Sequence, residues 1–179
     1  DWLHLHHEDF TGQFGKFWSS YNGTDWYKKD VAEQTATAQK WGFAKVSQLK
    51  LAVVKKMRDF VMGGGFLFAM CSATDTYDIA MAAAETDICE SMFDGTPADG
   101  RAQEKLDYEK CIALKEFTLI EDPMYYEFSN IDVDPVQRRV REEEDLFTLF
   151  DYSAKWDLIP SILCQNHTRT IKGFMGQTT

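Results

Sequence analysis

Residues 63–74 read GGGFLFAMCSAT. A triple glycine leads into an apolar run, Phe66 to Met70, that has the length of a β-strand. The run stops at Cys71, and small and capping residues then begin a helix. In α/β sheets, ligands and catalytic groups lie at the carboxyl ends of the strands. The stretch therefore predicts that a central strand presents Cys71 at its carboxyl end.

The sequence before this stretch alternates between strand and helix patterns. Trp2 to His7 predicts a strand, with Glu8 and Asp9 at its carboxyl end. Residues 10–27, rich in aromatic side chains, glycine and serine, predict an ordered loop with short helical turns. Residues from about 26 to 40 favour a helix that ends at Gly42.

The strongest helical pattern spans Ser47 to Met62, with Ser47 as its cap and Gly63 as its stop. Residues 66–70 show no apolar–polar alternation, which is typical of a strand covered by helices on both faces. A further helix, capped by Ser72 or Thr74, should run to about Glu85. The order strand, helix, strand, helix predicts a doubly wound, mostly parallel sheet.

The pattern weakens after Cys89. We interpret residues 89–145 as an irregular insertion that includes a turn at 94–97 and a strand at 117–120. Further strands are predicted at 146–150, 161–164 and 169–174. A chain of 179 residues is long enough to bury a core, so we predict a single α/β domain over 1–179. Because the chain begins inside a strand pattern and ends without a terminal element, we expect it to be a fragment of a longer one.

Composition excludes several classes. The net charge of −10 argues against nucleic acid as a partner, since phosphate binding requires clustered Lys and Arg. No segment has the 18 or so consecutive apolar residues of a membrane span. The chain has four widely spaced cysteines: Cys71, Cys89, Cys111 and Cys164. Because none of them forms a C-x-x-C pair, the sequence indicates neither a zinc framework nor a dense disulfide scaffold.

Cys71 is the first candidate for chemistry. A thiolate attacks acyl carbons, and the dipole of a following helix favours that thiolate. The backbone N–H groups of Ser72 and Ala73 could donate to an oxyanion. The alternative is that Cys71 is a small buried hydrophobic residue, and Asp75 and Asp78 in the following helix would disfavour a nearby thiolate.

Residues 4–9 read HLHHED and form the second candidate. On a strand, His4 and His6 share one face and His7 takes the other. A general base for Cys71 could come from His6, His7 or Glu8. A metal site and purely structural histidines are alternatives, but no second Cys or His cluster completes a ligand set, so we predict no metal.

Asn166 and His167 follow an apolar run and could line a pocket at Cys71 together with the histidines after the first strand. An ordinary loop explains them equally well. The triple glycine precedes a strand instead of opening a helix after one. That order does not fit a phosphate-binding loop, and we predict no cofactor.

Four stretches carry a family resemblance: DWLHLHHEDFTGQFGKFW (1–18), GGGFLFAMCSATDTYDIA (63–80), DYSAKWD (151–157) and QNHTRTIKGFMGQTT (165–179). They resemble a bacterial family catalogued as asparagine synthetase B, over nearly the whole chain. The resemblance is not to the true glutamine-hydrolysing asparagine synthetases, because Cys71 is internal and no Ser-Gly-Gly-x-Asp-Ser nucleotide loop is present.

The layout resembles the class I glutamine amidotransferase-like and ThuA-like superfamily. This resemblance implies a three-layer, flavodoxin-like sheet with strands before Asp1 and after Thr179, and a catalytic His and Glu in that later part. It also implies a signal peptide and export to the bacterial cell envelope (the periplasm).

Two functions follow from these observations. The first is a cysteine-dependent amidohydrolase or glutaminase-like domain, with a small-molecule amide as its substrate. The second is a non-catalytic binding or scaffold protein of the bacterial envelope, with a protein partner.

Overall fold

The computed structural model describes residues 2–131 of the chain, and residues up to Ser129 form one compact unit. The unit contains two strands and five α-helices: β1 (Trp2–His6), α1 (Trp18–Tyr21), α2 (Asp25–Lys40), α3 (Val46–Met62), β2 (Phe66–Met70), α4 (Ala73–Ala82) and α5 (Ser91–Asp94). Short 3-10 turns lie at Phe14–Lys16, Ala102–Lys105 and Tyr108–Lys110. The predicted α/β class is thus confirmed at the level of mixed helices and parallel strands.

Strands β1 and β2 pair in parallel, in a register that runs from Trp2 opposite Phe66 to His6 opposite Met70. Parallel neighbours require a crossover connection, which α1, α2 and α3 provide. The predicted strand, helix, strand, helix order is confirmed for this part of the chain. Within residues 2–131 the sheet has two strands.

The two faces of this sheet differ. Leu3, Leu5, Leu67 and Ala69 lie on the face that packs into a core with α3 and α4. The opposite face carries Trp2, which is 68% exposed, and Phe66, which is 59% exposed. The expectation that both faces of β2 are covered is therefore wrong for the described residues. The sequence lacks alternation because the exposed face also carries large apolar side chains.

A second core lies between α2, the start of α3 and the segment around α5. Its buried members are Phe14, Tyr27, Ala38, Val46, Cys89 and Phe93. All but Tyr27 are small or apolar, and the ring of Tyr27 lies edge-on to that of Phe14 with centroids 6.5 Å apart. This core fixes the start of α3 independently of the core beneath the sheet.

The termini of α3 were predicted in part. Gly63 ends the helix as expected, and Gly64 turns the chain toward β2 with φ +92°. Ser47 is not the cap: Lys45 is the residue before the first turn. The side-chain oxygen of Gln48 instead accepts hydrogen bonds from the N–H groups of Ala44 (3.1 Å) and Lys45 (3.3 Å), which satisfies donors that a helix start leaves free.

The described part of the predicted insertion, residues 89–131, is irregular as expected. At 117–120 the structure has a single antiparallel bridge, Leu119 to Ser129, in place of the predicted strand. The carboxylate of Asp122 accepts the N–H of Met124 and forms a turn that includes Pro123. The strands predicted at 146–150, 161–164 and 169–174 lie outside the described residues. No helix within residues 2–131 combines the length and apolarity needed to cross a bilayer.

Candidate functional site

The ends of the two strands bring the predicted site residues to one edge of the sheet. Because His6 pairs with Met70, the next residues, His7 and Cys71, leave neighbouring parallel strands at the same place. Both have left-handed backbone conformations, with φ 63° at His7 and φ 55° at Cys71. That conformation costs a residue other than glycine about 1–2 kcal/mol. Strained backbone of this kind clusters at functional sites.

Cys71 is exposed, one residue after β2 and two residues before α4. The alternative that it is a small buried hydrophobic residue is therefore wrong in this structure. The left-handed turn directs the chain sharply out of the sheet and into the helix. The side chain of Cys71 consequently lies at the surface, next to the amino end of α4.

The imidazoles of His6 and His7 are exposed and in contact, with ring centroids 3.7 Å apart and planes at 80°. His4 and His6 share the exposed face of the sheet, as predicted, with ring centroids 6.5 Å apart. The prediction that His7 takes the opposite face is wrong, because the left-handed backbone at His7 ends the strand and directs its ring toward His6.

Glu8 is half-buried, and its side-chain oxygen Oε2 is buried with no hydrogen-bond partner among the described residues. Its backbone carbonyl accepts a hydrogen bond from the hydroxyl of Thr76, at 3.0 Å. A buried carboxylate oxygen that lacks a donor is unusual in folded proteins. The Oε2 atom of Glu8 can therefore accept a hydrogen bond from a further donor, such as an imidazole N–H.

Of the two predicted oxyanion donors, Ser72 is half-buried and Ala73 is inaccessible to solvent. Ser72 is thus the more accessible of the two residues. Asn166 and His167, the predicted pocket residues, lie outside the described residues. The roles assigned to all these residues stay predictions.

The loop after β1 is organised by Asp9, which the sequence reasoning placed at the strand end without giving it a role. Its Oδ1 accepts hydrogen bonds from the N–H (2.7 Å) and hydroxyl (2.6 Å) of Thr11, and its Oδ2 accepts the N–H of Gly15 (2.9 Å). An aspartate that accepts the N–H two residues on is a common turn device, and the sequence Asp-Phe-Thr-Gly was the available signal.

Lys16 was missed altogether. It is 1% exposed, and its ammonium donates to the backbone carbonyls of Ile120 (2.6 Å) and Glu127 (2.8 Å). Burial lowers the pKa of Lys16 from 10.5 to about 8, although nearby carboxylates, Asp122 and Asp9 foremost, oppose that change. This lysine anchors the loop of residues 120–127 to the loop after β1.

Asp78 anchors a second loop. Its carboxylate accepts the N–H groups of Ile112 (2.7 Å), Ala113 (2.8 Å) and Leu114 (2.7 Å). The expectation that Asp78 acts on the thiol at position 71 does not match this geometry, because the carboxylate lies beneath residues 112–114. Burial, reinforced by Asp78, instead raises the pKa of Cys111 to about 12.

A separate cluster joins Asp87, Cys89 and Asp94, whose ligand atoms lie within 4.8 Å of one another. Carboxylates and a thiol can bind metal ions. Here, however, the ammonium of Lys45 contacts Asp87 and lies 2.9 Å from Asp94. The thiol of Cys89 donates to the carbonyl of Thr11, and burial raises its pKa well above the ordinary value. The ammonium of Lys45 thus lies between the carboxylates of Asp87 and Asp94.

Two cavities formed by the described residues lie apart from Cys71. The larger, of about 500 Å³, is lined by residues of α3 and by Met81, Glu85 and Lys110. The smaller, of about 320 Å³, is lined by residues that include Phe10, Lys45 and Cys89. Cys71 and residues 6–8 line neither cavity, so neither is the pocket predicted at the thiol.

No family model, curated protein or solved structure matches this chain. The resemblance to the asparagine synthetase B family therefore stays a prediction. The geometry at the ends of β1 and β2 is what bears on function.

Proposed function

We propose that the chain is a cysteine-dependent amidohydrolase or glutaminase-like domain in which Cys71 is the nucleophile. The observation that carries this proposal is the exposed thiol on a left-handed, strand-to-helix turn between β2 and α4. A strained turn of this kind is the device by which hydrolases of the α/β class expose a nucleophile at the edge of a sheet.

The chemistry proceeds in two stages. The Cys71 thiol gives its proton to the imidazole of His7 or His6, and the thiolate attacks the carbonyl carbon of an amide. The C–N bond then breaks while the imidazolium returns the proton to the leaving amine, which leaves a thioester on Cys71. Water loses a proton to the same imidazole and adds to the thioester. The C–S bond then breaks to release a carboxylic acid, and the departing thiolate takes the proton back from the imidazolium.

Three features of the strand ends support this sequence of steps. The amino end of α4 carries the positive end of the helix dipole, which stabilises a thiolate. In this proposal the N–H of Ser72 donates to the oxyanion of the tetrahedral intermediate. In this proposal Glu8 orients an imidazole through its Oε2, which has no donor among the described residues.

We further propose that β1 and β2 belong to a larger, three-layer, flavodoxin-like sheet of the class I glutamine amidotransferase-like kind. Parallel pairing through a helical crossover supports this assignment. So does the exposed aromatic face of the pair, because parallel sheets are almost always covered on both faces. The same proposal includes membership of the asparagine synthetase B family and a place in the bacterial envelope, with His6 or His7 as the base in place of the later histidine that the resemblance implies.

The reactivity of Cys71 tests the proposal. Iodoacetamide is added at pH 7, and the labelling rate of each cysteine is followed by peptide mass spectrometry. We expect Cys71 to react at least about ten times faster than free cysteine, while the buried Cys89 and the Cys111 thiol serve as slow internal controls. Hydrolysis of glutamine, asparagine and simple primary amides is measured in parallel on the wild type and Cys71→Ala. A Cys71 rate no higher than that of free cysteine, or an unchanged hydrolysis rate in Cys71→Ala, would refute a nucleophilic role.

A second function, a non-catalytic binding or scaffold module of the bacterial envelope, is favoured by one observation. The exposed sheet face carries stacked aromatic rings, with Trp2 and Phe66 centroids 6.3 Å apart and Trp2 and Phe68 centroids 6.5 Å apart. Exposed apolar patches of this kind often mark interaction sites. An ordinary Cys71 thiol, together with ligand or partner binding that Phe68→Ala abolishes, would favour this alternative over the enzyme.

A further inference from the structure

One side chain bridges the two turns that form the candidate site. Thr76, on α4, is 0% exposed. Its hydroxyl oxygen lies 3.0 Å from the carbonyl oxygen of Glu8 and 2.5 Å from the carbonyl oxygen of Ser72. Glu8 follows His7 at the end of β1, and Ser72 follows Cys71 at the end of β2. The hydroxyl group of Thr76 therefore lies between the segment that carries the imidazoles and the segment that carries the thiol.

The contact with Glu8 goes beyond ordinary helix chemistry. A threonine in a helix often donates its hydroxyl to the carbonyl four residues earlier, and the Ser72 contact is of that type. The Ser72 carbonyl already accepts the N–H of Thr76 at 3.1 Å, so the helix does not need the hydroxyl there. The contact with Glu8 instead joins residues 68 positions apart in the chain.

The strand ladder does not extend to this point. The last paired residues of the sheet are His6 and Met70, and His7 and Cys71 then depart in left-handed conformations. Beyond the ladder, the Thr76 hydroxyl is a direct link between the two departing segments. The branch at Cβ leaves a helical threonine only a few χ1 rotamers, which restricts the positions that the Thr76 hydroxyl can take.

We propose that Thr76 is a positioning residue, which sets the separation between the imidazoles after β1 and the Cys71 thiol. This inference rests on the proposed function. Proton transfer requires heavy atoms about 2.6–3.2 Å apart, and a displacement of about 1 Å can cost about a hundredfold in rate. Thr76 is inaccessible, so it acts through the backbone of Glu8 and Ser72 and does not touch a substrate.

Three substitutions test the role of the hydroxyl. Thr76→Val preserves the branched shape and removes the donor, and Thr76→Ser keeps the donor as the matched control. Thr76→Ala, with its high helix propensity, replaces Thr76→Val if the latter does not fold. The titratable groups at these strand ends, His6, His7, Glu8 and Asp75, are unchanged in all three variants.

The measurement is the pH profile of iodoacetamide alkylation at Cys71, from pH 5 to 10, in variants whose circular dichroism matches the wild type. We expect Thr76→Val to move the midpoint of the profile upward by about one pH unit and to lower the rate at pH 7 about tenfold. Thr76→Ser should remain within about twofold of the wild type. A merely structural role would lower the unfolding midpoint without moving the pH profile.

The outcomes separate the two proposals. A fast wild-type Cys71 whose pH profile is the same in Thr76→Val and Thr76→Ala overturns the role of Thr76 and leaves the nucleophile in place. A wild-type Cys71 that reacts no faster than free cysteine overturns the nucleophile, and the role of Thr76 with it. A fast wild type that slows in Thr76→Val and recovers in Thr76→Ser supports both.

Discussion

The left-handed conformation of Cys71 makes an unusual stability prediction. Cys71→Ala keeps a Cβ atom at φ 55°, whereas Cys71→Gly removes it. The strain of a side chain in this region is about 1–2 kcal/mol, and the greater freedom of glycine in the unfolded chain offsets about 0.4–1 kcal/mol of that. Cys71 is exposed, so the loss of the side chain itself changes little burial. We therefore expect the glycine variant to be more stable than the alanine variant by about 0.5–1 kcal/mol.

The assay compares the free energies of unfolding of the two variants in urea, with thermal melting as a second measurement. For a chain of this length, 1 kcal/mol corresponds to about 2–4 °C in Tm, so the expected difference is about 1–4 °C. The matched control is Lys55, an exposed residue within α3. There, Lys55→Gly should be less stable than Lys55→Ala by about 1 kcal/mol, which is the opposite sign.

A glycine at position 71 that is less stable than alanine would refute the argument that this turn stores strain. It would also remove the main support for a nucleophile on a strained turn. The Lys55 pair guards against a general effect of glycine on the chain, because only a position with positive φ can reverse the usual order.

Three further predictions concern the anchored loops. Because burial lowers the pKa of Lys16 from 10.5 to about 8, the unfolded chain holds more protons than the folded one between those two pH values. The contribution of Lys16 to the free energy of unfolding should then rise by up to about 3 kcal/mol from pH 8 to 10.5, so the stability difference between the wild type and Lys16→Met should grow by that amount in urea titrations across the range. Asp78→Asn should lower the free energy of unfolding by about 3 kcal/mol, because one amide oxygen cannot replace a carboxylate that accepts three N–H groups. Protease cleavage within residues 111–117 should also accelerate. As the control, Asp59→Asn at an exposed position should change the free energy of unfolding by less than about 0.5 kcal/mol. Gly12 has φ +87°, and Gly12→Ala would place a Cβ 2.7 Å from Cα of Ser47. We expect it to lower the free energy of unfolding by about 3 kcal/mol. As the control, a Cβ at Gly23 meets nothing within 4 Å, so Gly23→Ala should unfold at the same urea concentration as the wild type.

The regular elements were largely predictable from the sequence. The helix α3 shows apolar residues at helical spacing and ends at glycine, and the runs at 2–6 and 66–70 have strand length. Because parallel strands end at one edge, the proximity of Cys71 to the histidines also followed from the sequence. Which face of β2 is exposed could not be predicted from the sequence. Phe66 and Phe68 on the exposed face are as apolar as Leu67 on the face toward the core.

Other features of the site could not be predicted because local sequence does not encode them. The left-handed backbone of Cys71 occurs without the glycine or asparagine that usually marks it. Lys16 is buried although lysine is almost always exposed, and its partners lie more than a hundred residues away in the chain. Thr76 resembles any helical threonine until the carbonyl of Glu8 is placed beside it.

The sealed ammonium of Lys16 also provides the protein with a built-in reporter. Amine-acylating reagents require access to an uncharged nitrogen, and at 1% exposure that nitrogen becomes accessible only when the surrounding loops separate. Acylation then removes the positive charge that the carbonyls of Ile120 and Glu127 hold, so the loops cannot close again as before. Each opening that is captured in this way is recorded permanently on a single lysine, and the yield of that modification measures how often this part of the molecule opens.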